Sequence, residues 1–405
     1  MPGSPSRRFV VLVIDGLGVG VMDDVATSRP QDLGAHTLRQ VLSYGDGIRL
    51  PTLESIGAIK YFLSGTFQPA PYRELLVSLG KCRLAHFGAD TYAGHQELAG
   101  TIPKPPVRQF VRDVRTILVP ALAAAGFSAR WTGKYITVND VMAIADNIET
   151  DYGLNINVVG CLDHISFDAI AQVGNIVRAH VNVGRVITMG GVYIEPKDFD
   201  RCFEIKQRDG YTAWGIDIPG LNIYNDHYRV IHIGFGTNPE VQTPQIMLRH
   251  GFPVVLIGKT ADFIRADGAV YHPEVSTPKV LAETLSQFRR LERGFVFANV
   301  QETDLAGHRQ DTRRYADLLV YIDAFLPQLL QELGPQDVLL VTGDHGNDPT
   351  IGHTNHTREC TPVIVFSRHL PARDLGERKT LADVGATVAK YFGVPLPESG
   401  TPMFG

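Results

Sequence analysis

Apolar residues fall in short unbroken runs along this chain, at positions 9–14, 155–159, 183–189, 229–234, 253–258, 295–300, 338–342 and 361–366. Most of these runs do not alternate with polar positions. Continuous runs of this length predict strands covered on both faces by helices, the usual state of a parallel sheet. Helical periodicity fills the intervals at 116–125, 167–181, 278–291, 312–333 and 381–392. Pro120 inside the first of these predicts a kink. Strands that alternate with helices imply an α/β fold with a mainly parallel sheet.

The segment 101–107 contains Pro103, Pro105 and Pro106 and predicts a domain boundary. A second boundary falls between Pro219 and Pro244. The residues capable of chemistry lie before the first and after the second. We therefore expect a catalytic core built from 1–102 and 241–405, with an inserted α/β cap domain at 103–240. Open α/β sheets place ligands at the carboxyl ends of their strands, so that is where the cap is expected to act.

Composition narrows the reading. The chain has 405 residues, 44% hydrophobic and 20% charged, which excludes a disordered protein. Its net charge of −5 excludes a globally basic nucleic-acid binder. Cys82, Cys161, Cys202 and Cys360 show no CxxC spacing and read as buried thiols of a cytoplasmic protein. No segment reaches the ~20 apolar residues needed to span a bilayer. The run after Arg7-Arg8 stops at Asp15, too short for a signal peptide and better suited to a strand.

Three strand predictions end in metal-binding residue types. The first run leads into Asp15-Gly16-Leu17-Gly18-Val19-Gly20. Its glycines imitate a dinucleotide fingerprint, but the third is misplaced and an aspartate at the strand tip would repel a pyrophosphate. The run at 295–300 leads into Asp304-Leu305-Ala306-Gly307-His308, and that at 338–342 into Asp344-His345-Gly346. His356 follows eleven residues after His345. Singly, any of these is a loop or turn residue. Together, three aspartates and three histidines suffice for two divalent ions, and mixed Asp/His ligation suits Mn²⁺ or Zn²⁺ better than Mg²⁺ or Ca²⁺. Such a pair clamps both oxygens of a phosphoryl transfer. Asp90-Thr91 precedes Tyr92-Ala93-Gly94-His95-Gln96-Glu97. Thr91 reads either as an ordinary N-cap with Asp90 in a turn, or as an alcohol activated by a metal at a helix N-terminus. His353 reads as a structural imidazole or a substrate acid, and Arg185 as a cap phosphate contact or, better, a solvated strand end.

With these motifs in view, the chain resembles the alkaline phosphatase superfamily and, within it, the phosphopentomutases. The match lies in Val-Ile-Asp15-Gly-Leu-Gly, Asp90-Thr91-Tyr-Ala-Gly-His-Gln-Glu97, Gly258-Lys259 and Thr342-Gly-Asp344-His345-Gly-Asn-Asp-Pro through His356-Thr-Arg-Glu359. The resemblance implies an alkaline-phosphatase-like core with an inserted cap, and two Mn²⁺ ions, with Zn²⁺ or Mg²⁺ as substitutes. It assigns Asp15, Asp344 and His345 to one ion, and Asp304, His308 and His356 to the other. It makes Thr91 the residue phosphorylated during transfer of phosphate between positions of a sugar phosphate, by default ribose 1-phosphate and ribose 5-phosphate. It places Lys259 near the substrate phosphate, and Asn139 and Asp140 near the sugar. A phosphatase or phosphodiesterase, or a mutase for another sugar phosphate, is the alternative. The expected partner is a small-molecule sugar phosphate, with no nucleic acid and no membrane. Three departures mark a divergent cap and its surroundings. The Asp304–His308 spacing is that of cofactor-independent phosphoglycerate mutases, Gln96 replaces a usual tryptophan, and Thr188-Met189-Gly190 replaces Ala-Arg-Pro.

Overall fold

A computed structural model describes residues 7–45, 47–208 and 210–405. The chain divides into two compact units, Pro103–Thr237 and the two segments that flank it in sequence. The second division falls at 237/238, where the sequence suggested 240/241. The reason is local. The Asn238 side chain accepts from Glu240 N–H and caps the 3-10 turn Pro239–Val241, which leads into the helix Thr243–Arg249. That helix is tied to the flanking segments through Thr243 N–H to the Ala99 carbonyl, and Val241 accepts from Glu398 N–H.

In chain order the strands are β1 (Arg7–Ile14) and β2 (Leu76–Cys82), followed by eight in the inserted unit. Those are β3 (Ala129–Trp131), β4 (Ile136–Val138), β5 (Met142–Asp146), β6 (Asn155–Cys161), β7 (Arg185–Gly191), β8 (Phe203–Arg208), β9 (Tyr211–Ile216) and β10 (Arg229–Gly234). The remainder are β11 (Val254–Gly258), β12 (Val270–His272), β13 (Arg293–Val300), β14 (Val338–Thr342), β15 (Thr361–Ser367) and β16 (Asp374–Arg378).

The flanking segments build one sheet of order β12-β11-β13-β1-β14-β15-β2-β16. Every neighbouring pair is parallel except those made by β15, which runs against both β14 and β2. The sheet is thus mixed and mostly parallel. Its central strand β1 is buried along Phe9–Ile14, as unbroken apolar sequence requires. The helices Thr277–Arg290 and Thr312–Gln331 pack on each other, and Ala382–Phe392 packs with Thr91–Leu98 and Thr243–Arg249. Phe9, Phe288, Tyr315 and Phe366 are fully buried between these layers. Each such ring contributes about 1.5–3 kcal/mol by leaving water.

The order of the sheet decides where the chemistry lies. Strands β11, β13, β1 and β14 are consecutive neighbours and run in one direction. Lys259 follows β11 directly, Asp15 follows β1 directly, and Asp304 and Asp344 come within four residues of the ends of β13 and β14. Four charged residues distant in sequence are thus delivered to one edge.

The inserted unit has its own sheet, of order β10-β7-β6-β5-β4-β3, with β9 beside β5 and β8 beside β9. The helices Val111–Ala124 and Phe167–His180 cover one of its cores, around Ile144, Val158, Ile170 and Val186. The first helix starts five residues before the predicted 116 and contains Pro120. Asn139 and Asp140 form the β4–β5 hairpin turn. Both have positive φ, 50° and 58°, and Val141 N–H donates to the Val138 carbonyl. This is the geometry for which a two-residue Asn/Asp pair is favoured. Trp131 and Trp214 stack with centroids 6.5 Å apart. Arg185, expected in solvent, is buried at the start of β7. All four cysteines are free and buried. Among the described residues no helix is long and apolar enough to cross a membrane.

Candidate active site

Each functional side chain is positioned by the element that precedes it. Thr303 Oγ1 donates to the Asp15 carbonyl at 2.6 Å, fastening the tip of β1 to the short helix Glu302–His308. On that helix Asp304 and His308 are one turn apart and share a face. Asn347 donates from Nδ2 to Asp304 Oδ1 at 2.8 Å and fixes that carboxylate. The Asp344 carboxylate accepts Gly16 N–H at Oδ1, 3.1 Å away. Thr91 opens the helix Thr91–Leu98. Asp90, not Thr91, is its cap, accepting Ala93 N–H at 2.9 Å. That frees the threonine hydroxyl for other work, and an Asp cap is worth about 1 kcal/mol.

The structure brings together seven residues anticipated for the centre, together with Lys259. Asp15, Asp304 and His345 form one group able to hold a cation, and Asp304, His308 and His356 another. His345 Nε2 lies 3.1 Å from Asp344 Oδ2 and 3.5 Å from Asp15 Oδ1. His356 Nε2 lies 3.3 Å from Asp304 Oδ1, and His308 Nε2 lies 3.5 Å from Asp304 Oδ2. Lys259 Nζ reaches Asp15 Oδ2 at 2.7 Å, Asp304 Oδ2 at 3.1 Å and Thr91 Oγ1 at 3.2 Å. Thr91 Oγ1 in turn donates to Asp344 Oδ2 at 2.8 Å.

Three imidazoles share one orientation. His308 Nδ1 faces the Thr354 carbonyl at 2.6 Å, His345 Nδ1 that of Gly346 at 3.0 Å, and His356 Nδ1 that of Ala89 at 2.8 Å. A carbonyl can only accept, so each neutral ring carries its proton on Nδ1 and presents a lone pair at Nε2. Metal-ligating histidines are commonly held in this way. Asp15 Oδ1 and His345 Nε2 are moreover buried without a hydrogen-bond partner. A carboxylate oxygen and, once its ring is neutral, an imidazole nitrogen facing carboxylates fit a divalent cation.

Burial and mutual charge set the electrostatics of the centre. Burial and the Asp344 carboxylate push Asp15 up to about 6, against the pull of Lys259. Burial also opposes ionisation of Asp304 and Asp344. Lys259 and His356 outweigh it for the first, and His345 and His95 for the second, so both stay well below the usual carboxylate range. Burial disfavours a charged His345, but Asp344 outweighs it and lifts the imidazole to about 10. Burial and the neighbouring His345 press His356 down to about 4.

Several residues escaped the sequence reading. His95 is fully buried, with Nδ1 on the Thr91 carbonyl at 2.8 Å and Nε2 receiving Asn299 Nδ2 at 2.9 Å. Asn299 also donates to Asp15 Oδ2 at 2.9 Å. A polar residue inside the apolar run 295–300 was the signal for it. Glu359 accepts from Gly20 N–H, Thr37 N–H and the Thr37 and Thr357 hydroxyls. It also explains two glycines, because a Cβ at Gly18 or Gly346 would lie 2.3 Å from its side chain. His353 bonds to Asp32 at 3.1 Å. Gln96 donates to the Phe263 carbonyl and receives from Gln242. Asn139 and Asp140 belong to the other unit, where Asn139 Oδ1 accepts Ser128 N–H and Asp140 pairs with Arg130.

A family model described as the metalloenzyme superfamily matches residues 7–396. The phosphopentomutase of Symbiobacterium thermophilum is 30% identical over 421 residues, covering 96% of this chain and 95% of that protein. The phosphopentomutase of Anaeromyxobacter sp. (strain K) is 31% identical over 398 residues, covering 96% of each. Among solved structures, Leishmania mexicana phosphoglycerate mutase aligns with a TM-score of 0.48 and 12% identity, covering 99% of this chain and 98% of that one.

Proposed function

The chain belongs to the metalloenzyme superfamily, as an alkaline-phosphatase-like member similar along its length to phosphopentomutases, and from that premise we propose that it is a two-metal phosphomutase acting on a pentose phosphate. The observation that carries this reading is Thr91. Its hydroxyl stands at a helix N-terminus, 2.8 Å from Asp344 and 3.2 Å from Lys259. A binding protein needs no alcohol there.

Asp15, Asp344 and His345 would hold one ion, and Asp304, His308 and His356 the other. When bound, the ions, with Mn²⁺ favoured and Zn²⁺ or Mg²⁺ as substitutes, supply positive charge that lowers the barrier to phosphoryl transfer. Thr91 Oγ1 carries the phosphoryl group and hands it to the free hydroxyl of a sugar monophosphate. The sugar bisphosphate so formed turns about and returns its other phosphate to Thr91. Lys259 is a fixed ammonium beside the transferred group, and it neutralises charge on the phosphoryl oxygens. The first turn of the helix Thr91–Leu98 adds its partial positive charge, about half an elementary charge. The inserted unit is assigned to sugar recognition. Its altered Thr188-Met189-Gly190 segment supports a sugar grip different from that of the usual pentomutase, since no guanidinium fork is available there. Four unpaired thiols support a cytoplasmic location.

The test offers ribose 5-phosphate and α-ribose 1-phosphate separately to phosphorylated, Mn²⁺-loaded protein, with products resolved by ³¹P NMR and Thr91→Ala as the blank. Interconversion without free phosphate is expected. Release of inorganic phosphate alone would identify a hydrolase instead.

A further inference from the structure

We propose that Asp32 is a positioning residue that sets the His308/His356 half of the centre, by clamping the loop 353–358 from which His356 projects. The inference rests on the two-metal reading above.

Asp32 lies more than 300 residues from the loop it holds and is fully buried. Its Oδ1 meets His353 Nε2 at 3.1 Å. Its Oδ2 accepts Arg358 N–H at 2.9 Å and Arg29 Nε at 2.7 Å. Arg29 then donates from Nη2 to the carbonyl of His356 itself, 2.9 Å away. One carboxylate therefore grips the chain three residues before His356 and two residues after it, and through Arg29 it reaches the His356 backbone.

The clamped loop does two things for the centre. It aims His356, whose Nδ1 contacts the Ala89 carbonyl. It also presents the Thr354 carbonyl that orients His308. Thr354 and Asn355 are exposed, and 351–356 has neither helix nor strand. Ordering each loop residue costs about 1–2 kcal/mol of backbone entropy. Polar ties must hold these residues in place, and Asp32 makes two of them directly and a third through Arg29. Arg358 extends the clamp, donating to the carbonyls of Leu84, His86 and Gly88, in the segment that leads to Thr91. Asp32 itself bonds to Arg29, His353 and Arg358, so it acts through the loop.

Outer partners of metal ligands typically change metal affinity about 10–100-fold when removed. The test compares wild type, Asp32→Asn and His353→Ala after EDTA dialysis. Mn²⁺ is titrated and followed by electron paramagnetic resonance, and melting of the metal-free proteins is recorded alongside. We expect Asp32→Asn to keep one Mn²⁺ at wild-type affinity and to hold the second about 10–100-fold more weakly. His353→Ala, which removes a single arm at a partly exposed position, shows the same selectivity with a smaller loss, and it decides the matter if Asp32→Asn does not fold. Unchanged affinity at both sites in the folded variants overturns the proposal. So does parallel weakening of both sites with a collapse in melting temperature, which marks a merely structural role. Wild type that binds fewer than two Mn²⁺ overturns the two-metal reading and this one with it. Wild type that binds two but isomerises no ribose phosphate defeats the pentomutase reading alone.

Discussion

His308 Nε2 lies 3.0 Å from His356 Nε2, and both rings turn Nδ1 to a backbone carbonyl. Two neutral imidazoles so oriented would oppose their lone pairs across a gap that only a proton or a cation relieves. Chelation should therefore lower the melting temperature, and added Mn²⁺ should restore it. At a free ion concentration about 100 times Kd, each site contributes ~2.7 kcal/mol of stability. Differential scanning calorimetry with EDTA and with graded Mn²⁺ measures this. A melting temperature indifferent to both would remove the metal centre from the account.

The metal-free protein should lose stability in alkali. His345 is lifted from an ordinary 6.5 to about 10, so the folded state holds a proton that the unfolded state releases. That contribution is complete below pH 6.5 and is lost as pH rises through about 10. Since a ligating imidazole must be neutral, Mn²⁺ uptake at pH 7 should expel at least this proton. Calorimetric titration in buffers of different ionisation enthalpy counts the protons released. A count of zero would contradict a protonated His345.

Thr91 and Asp344 should separate chemistry from metal binding. Thr91→Ala removes the hydroxyl and no ligand carboxylate, so phosphoryl transfer should disappear while both ions stay. Asp344→Asn removes a ligand together with the partner of His345, and should lose metal and activity together. Elemental analysis of dialysed protein beside the ³¹P assay reads both. Wild-type turnover in Thr91→Ala would exclude the covalent route.

The charged residues gathered in this candidate centre stand out in the sequence because parallel sheets announce themselves. Continuous apolar runs locate buried strands, and Asp15, Asp304 and Asp344 stand near their ends. Sheet order was not legible, since β13-β1-β14 adjacency depends on pairings between residues hundreds apart. The inserted unit hid β3, β4, β5, β8 and β9 for another reason. β3 and β4 are three residues each, β5 is a buried run of only five ending in Asp146, and β8 and β9 carry exposed polar positions that imitate loops. Asn139 and Asp140 lie in a hairpin turn, and turn chemistry and ligand chemistry use the same residue types, so sequence alone does not separate the two roles. Asp32 and Asn299 carry no motif at all, and their value lies in what they orient.

Lys259 should prove both a helper and a competitor. Its ammonium lies between Asp15 and Asp304, where it compensates carboxylates that would otherwise be buried unpaired. Lys259→Met should cost the metal-free protein about 3–5 kcal/mol, the usual penalty for breaking a buried pair. Mn²⁺ should nevertheless bind more tightly to the variant, since a like charge has left, and phosphoryl transfer should fall. Denaturant unfolding without metal and Mn²⁺ titration together test this. Weaker metal binding in a folded Lys259→Met would reverse the sign and refute the competition.

Gly94→Ala should harm the site although it favours the helix. In an exposed helix interior that substitution gains about 0.5–1 kcal/mol. Here a Cβ would stand 2.5 Å from the Asp344 carbonyl oxygen and 3.1 Å from its Cβ. The contact on that side is backbone, so it cannot swing aside. Either the helix Thr91–Leu98 retreats or the tip of β14 does, and each movement opens the 2.8 Å bond between Thr91 and Asp344. Overpacking of this kind costs about 1–3 kcal/mol, enough to cancel the helix gain. Activity should fall further than stability, because a displacement of an ångström at reacting atoms can cost about 100-fold in rate. Melting temperature, Mn²⁺ affinity and turnover should be measured on one preparation. An alanine variant that is more stable and fully active would show that the helix and β14 are not held in register by this glycine.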